Sequence, residues 1–126
     1  MGKVNILDYK RIYLETAREY IQSLSKCCIE LENDPLDKNA VINLHISSHS
    51  LRSQSQVMGY NNMSNITGLI EKIARDMLEG KQKVTLEFCS VLKESVEALS
   101  SCLSAIEKEN KENDMESIAT RLRMLK

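Results

Sequence analysis

Apolar residues recur at steps of three and four along nearly the whole chain, which is the signature of amphipathic helices. A first helix is predicted from about Ile6 to Glu32, with Ile6, Tyr9, Tyr13, Ala17, Tyr20, Leu24, Cys28 and Leu31 on one stripe. Asn33-Asp34-Pro35 ends it, and Asp34 is expected to cap the next helix with Pro35 at its first position. That second helix reaches roughly Met58 on a stripe of Val41, Leu44, Ser48, Leu51, Ser55 and Met58. Its two serines leave room for close helix approach. Gly59 suits a left-handed helix end, and the pair Asn61-Asn62 is expected to cap a third helix facing inward through Met63, Ile66, Ile70, Ile73 and Met77. Gly80 closes that helix, and Thr85 opens a fourth carrying Cys89, Leu92, Val96, Leu99, Leu103 and Ile106. Beyond a polar stretch from Glu107 to Asp114, Met115, Ile118, Leu122 and Leu125 resume the period, either as a fifth helix docked on the rest or as the lead into a linker.

Four such helices joined by short loops predict an all-α fold, an up-down-up-down four-helix bundle with the first helix against the other three and an additional C-terminal helix. The expected division is a bundle over residues 5–110 and a C-terminal helix or linker start over 111–126. The pattern is still helical through Arg121 to Lys126, which suggests continuation into a linker.

Composition narrows the function classes. A chain of 126 residues fits one domain and is short for an enzyme that must also enclose a nucleotide. Seventeen basic and eighteen acidic residues nearly cancel without a basic block, which argues against nucleic acid as a partner. Cys27, Cys28, Cys89 and Cys102 form no C-x-x-C pair and the start shows no secretory leader, so a reducing cytoplasm and core roles for the thiols are expected. No run has the apolar length of a membrane span.

Both histidines lie in the second helix. His45, His49, Arg52 and Gln56 follow steps of four, three and four, and so project from one side beside the buried stripe. Spacing alone leaves them as boundary residues of an amphipathic helix. A metal site is disfavoured, because Ile46 stands where a zincin helix carries its glutamate and no third ligand is evident. A Ser-His hydrolase is disfavoured too: Ser47, Ser48 and Ser50 are too close along the helix to be aimed by His49.

The run His49, Arg52, Ser53, Gly59 and Tyr60 resembles the histidine phosphotransfer (HPt) motif His-x-x-Lys-Gly, five residues, Gly-Phe or Gly-Tyr, of CheA-type chemotaxis kinases. Flanking stretches agree: Tyr13 to Glu19 in the first helix, Leu31 to Pro35 at the first turn, and Ile66 to Glu71 in the third helix. The resemblance covers about Leu7 to Glu109. It implies that His49 accepts phosphate, that Glu71 binds Nδ1–H and leaves Nε2 as the nucleophile, and that Arg52 offsets phosphoryl charge in place of the family's lysine. Gly59 is implied to close the helix near the site.

The implied partners are the ATP-binding domain of a histidine kinase, which supplies ATP and magnesium, and a CheY-like receiver domain of a response regulator. No cofactor is expected in this chain. It has no Gly-rich phosphate loop, so kinase activity belongs to it only as part of a longer protein. Three positions depart from the family pattern: Gly68 stands where a second histidine is frequent, Ser53 replaces a glycine, and His45 replaces a packing aromatic. Composition and periodicity fit an adaptor bundle that never carries phosphate equally well.

Overall fold

The computed structural model describes residues 6–125, apart from the side chain of Ile6; the start of the bundle expected at residue 5 lies outside them. Five helices follow in order: α1 (Ile6–Asn33), α2 (Lys38–Val57), α3 (Asn61–Leu78), α4 (Leu86–Glu109) and α5 (Glu116–Arg123). The fold is an all-α bundle with an added C-terminal helix. Backbone neighbours run α1 to α2 to α3 to α4 and back to α1, while α5 packs on α3 and α4. α1 therefore lies against α2 and α4 rather than against all three. It stands diagonal to α3, because four helices in a square leave opposite corners apart.

Local chemistry moves two of the expected caps. Asp34 is spent on the turn itself: its Oδ1 accepts from Leu36 N at 3.0 Å and its carbonyl from Asp37 N at 3.1 Å. Pro35 thus sits in the turn, and Asp37 caps α2 by accepting from Ala40 N at 3.0 Å. α3 is likewise not capped by Asn61 or Asn62. Tyr60 holds its N-cap position without a side-chain bond, and the Met63 N–H is taken instead by Glu112 Oε2 at 2.7 Å, from the segment before α5. A carboxylate there also complements the positive end of the helix dipole. Thr85 does cap α4, accepting from Phe88 N at 3.0 Å.

The core is one cluster to which every described helix contributes, with Leu24, Leu31, Leu44, Leu51, Met63, Ile66, Ile70, Phe88, Leu92, Leu99, Ile106 and Leu122 fully buried. Tyr9 departs from its predicted stripe. It is exposed, and Leu14, Ile21 and Cys27 take the inward places beside Tyr13 and Ala17, because a long helix wedged between two neighbours buries a wider arc than one stripe. Met77, Met58 and Tyr20 stay half-buried at the margin. Met115, Ala119 and Leu122 are buried, so α5 docks on the bundle. All four cysteines are free and buried, and burial pushes the thiols of Cys27 to about 11 and Cys28 to about 12, well above reactive range. Among the described residues no helix is long and apolar enough to cross a membrane.

Candidate functional site

The turn between α2 and α3 sets the site's frame. Gly59, with φ of +78°, adopts the left-handed conformation that ends α2, and its N–H bonds the Gln56 carbonyl at 3.1 Å. The Tyr60 N–H bonds the Ser55 carbonyl at 2.9 Å, completing a Schellman end. The chain reverses at once, and α3 returns alongside α2. Ser48 and Ser55, fully buried, keep the helices close, and the Ser55 hydroxyl bonds the Tyr13 phenol at 2.8 Å. The Tyr13 ring lies 5.0 Å from that of Tyr60, which anchors the turn to α1.

This geometry brings His49 and Arg52 on α2 against Glu71 on α3. His49 Nδ1 is 2.7 Å from Glu71 Oε2, and Arg52 Nε donates to Glu71 Oε1. Arg52 Nη1 donates to Gln56 Oε1 at 3.1 Å, and Nη2 lies 3.1 Å from His49 Nδ1. Exposure is graded across the three: the His49 side chain is 54 % exposed, Arg52 27 % and Glu71 9 %. The carboxylate is therefore buried, and the imidazole it holds faces solvent.

Burial alone raises the Glu71 carboxyl, but the hydrogen bonds from Arg52 and His49, with the positive charge of Arg52, outweigh it and hold the group below the usual carboxylate range. An ionised Glu71 accepts only, so the 2.7 Å contact requires Nδ1 to carry the proton. The 3.1 Å approach of Arg52 Nη2 is then two donors side by side rather than a hydrogen bond. Among the described residues the ring's polar contacts involve Nδ1 alone, so in the neutral imidazole Nε2 is the unprotonated nitrogen.

The other residues expected at the site fall around it. Ser53 is half-buried one turn along α2 from His49, and lines a shallow apolar groove with Tyr9, Ile12, Tyr13, Val57 and Met58. Gly68 lies on α3 directly under the Arg52 stem, a contact spacing does not reveal. His45 is half-buried, its ring stacked on His49 with centroids 6.5 Å apart and planes 11° apart, as a packing residue is. Gln56, on the stripe but given no role by the sequence, holds one arm of the guanidinium. Among the described residues no three His, Cys, Asp or Glu side chains gather to hold a metal.

Known proteins resemble the chain as a whole. CheA chemotaxis proteins are similar over most of the chain: that of Bacillus subtilis at 26 % identity over 98 residues, covering 78 % of this chain, and that of Halobacterium salinarum at 25 % over 100 residues, covering 79 %. The matched region is 15 % of each relative's length. The solution structure of the histidine phosphotransfer domain of CheA superposes with a TM-score of 0.85 at 18 % identity, covering 94 % of this chain and 92 % of that one. The phosphorylated P1 domain of CheA3, crystallised with CheY6 from R. sphaeroides, gives 0.84 at 14 % identity, covering 92 % and 93 %. The family model described as the Hpt domain matches residues 8–102, three quarters of the chain, and the protein belongs to that family.

Proposed function

We propose that this chain is a phosphorelay module in which His49 accepts a phosphoryl group from a histidine kinase's ATP-binding domain and passes it to an aspartate of a CheY-like receiver domain. One observation carries the reading: an exposed imidazole whose Nδ1 proton is held by a buried, ionised carboxylate, so that the outward nitrogen is the nucleophilic one.

In the first step the Nε2 lone pair attacks the γ-phosphorus, the P–Nε2 bond forms, and the bond to the bridging oxygen breaks as ADP leaves. The ring gains positive charge, which Glu71 stabilises through Nδ1–H. The Arg52 guanidinium adds a fixed positive charge beside the ring that offsets the phosphoryl group. In the second step the receiver's aspartate oxygen attacks phosphorus, the P–N bond breaks, and the electron pair returns to Nε2. The kinase domain supplies ATP and magnesium, and no cofactor is assigned to this chain.

Both visits need an accessible docking face. Ile42, Ile46, His49, Ser53 and Val57 follow steps of four, three, four and four along the outward side of α2, and the three apolar residues among them are exposed. Exposed Ile12 and Tyr9 on α1 extend that apolar margin. Such a rim suits protein partners that bury the histidine during transfer. A cytoplasmic location follows from these partners, and chemotaxis is the pathway in which the CheA relatives are named.

The test is phosphate incorporation from ATP with a CheA-type catalytic domain added in trans, comparing wild type with His49→Gln. Acid-labile label on wild type, absent from a folded His49→Gln, is expected. Wild type left unlabelled by kinase domains active on their own substrates, across a panel, overturns the relay in favour of a binding-only bundle.

A further inference from the structure

Gly68 stands in the middle of α3, away from Gly59 and Gly80, the positive-φ glycines among the described residues. No backbone conformation there demands glycine, and glycine in a helix interior costs stability relative to alanine. What the missing side chain provides is space. A Cβ built at Gly68 meets Arg52 Cδ at 3.1 Å and Arg52 Cγ at 3.9 Å, with no other neighbour as near. The aliphatic stem of Arg52 therefore crosses from α2 over the bare backbone of α3.

The consequence reaches His49. From that position Arg52 Nε meets Glu71 Oε1, and Gln56 holds Nη1. Glu71 is one turn beyond Gly68, close to it on the helix face. With Oε1 occupied, Oε2 is the oxygen presented to His49 Nδ1, at 2.7 Å. Each carboxylate oxygen thus has one partner, and the carboxylate has one orientation.

We propose that Gly68 is a positioning residue: its absent side chain seats the Arg52 stem, and the seated arginine clamps Glu71 so that the imidazole is held as the Nδ1–H tautomer. This deepens the relay reading, and only its kinetic consequence rests on that reading. Gly68 and Arg52 act as a pair, so a side chain at position 68 large enough to fill the seat is equivalent to loss of the clamp.

The test replaces Gly68 with leucine, which fills the seat, and with alanine, which crowds it, each in wild-type and Arg52→Ala backgrounds. Side-chain nitrogen NMR reads the Arg52 Nε–H resonance and the His49 tautomer without any phosphate. Expected for Gly68→Leu are loss of the hydrogen-bonded Arg52 signal, a fall in the Nδ1–H tautomer to the level of Arg52→Ala, and phosphorylation slowed roughly 10-fold or more. Gly68→Ala shifts the same signals less while melting at an equal or higher temperature, a split that a merely structural role does not produce. In the Arg52→Ala background neither substitution changes the tautomer further. An undisturbed Arg52 signal in Gly68→Leu, or an equal tautomer change without Arg52, overturns the proposal. Tautomer shifts as expected in a protein that no kinase labels support the clamp and discard the relay.

Discussion

The α2–α3 hairpin and helix α4 bury themselves by different means. Of the seven buried polar residues described, Ser47, Ser48, Ser55, Ser64, Thr67 and Glu71 belong to the hairpin and only Ser95 to α4. α4 contributes Phe88, Cys89, Val91, Leu92, Val96, Leu99, Cys102, Leu103 and Ile106 instead. Small hydroxyl residues let the hairpin pack closely: Ser48 bonds the Leu44 carbonyl and Thr67 that of Met63, each at 2.7 Å within its own helix, while Ser47 and Ser55 bond Ser23 and Tyr13 of α1. Close approach is what lets a glutamate on one helix hold a histidine on the other. The apolar burial of α4 does nothing for the site directly; it holds the hairpin's scaffold. The hairpin, which buries Leu44, Leu51, Met63, Ile66 and Ile70 as well, carries both chemistry and stability, whereas α4 contributes stability alone.

The strongest way to break this division is a large cavity in α4. Phe88→Ala removes a fully buried ring and is expected to cost about 3–5 kcal/mol, lowering the melting midpoint by roughly 10–20 °C. Below its new midpoint the variant is expected to accept phosphate at the wild-type rate per folded molecule. A phosphorylation rate that falls in molecules shown by NMR to be folded would mean that α4 tunes the site, against the division.

The hairpin's own stability is next in size. Ser55→Ala leaves the buried Tyr13 phenol without its 2.8 Å partner and is expected to cost about 1–3 kcal/mol. Tyr13→Phe in the same molecule removes the orphaned hydroxyl, so the double variant is expected to be less destabilised than the sum of the singles. Strict additivity in chemical denaturation is the contrary result.

Periodicity made the helices legible, since α1 to α5 each follow the apolar stripes, and Gly59 and Gly80 were readable as helix ends because few residues adopt positive φ. The His49, Arg52 and Glu71 trio was legible through the motif's resemblance, as spacing alone places His49 and Arg52 together but says nothing of a residue on another helix. What stayed hidden depends on competition or distance. Asp34 and Asp37 are equally good caps by composition, and the turn's own hydrogen bonds decided between them. Glu112 reaches Met63 N across 49 positions, which no local pattern encodes. Gly68 read as a missing histidine until the Arg52 stem was seen to lie over it.

The smallest effect separates the site's chemistry from its contribution to stability. Glu71→Gln keeps the shape but cannot hold an ionised oxygen on each partner, so phosphorylation is expected to slow by roughly 10- to 100-fold while stability at neutral pH falls by only about 1 kcal/mol. Small as it is, that loss has a definite pH signature. The folded-state pKa of Glu71 is depressed, mainly because the Arg52 and His49 hydrogen bonds overcome the opposing effect of burial. A depressed carboxylate contributes stability that is fully present above its unfolded value, about 4.3, and is lost as pH falls through the folded value. The gap between wild type and Glu71→Gln is therefore expected to be constant near neutrality and to shrink on the acid side, below the ordinary glutamate range. Urea denaturation of both proteins across that range measures it. A gap that widens on acidification would mean that Glu71 is protonated more readily in the fold than outside it, and the ion pair with Arg52 could not then be what orients the imidazole.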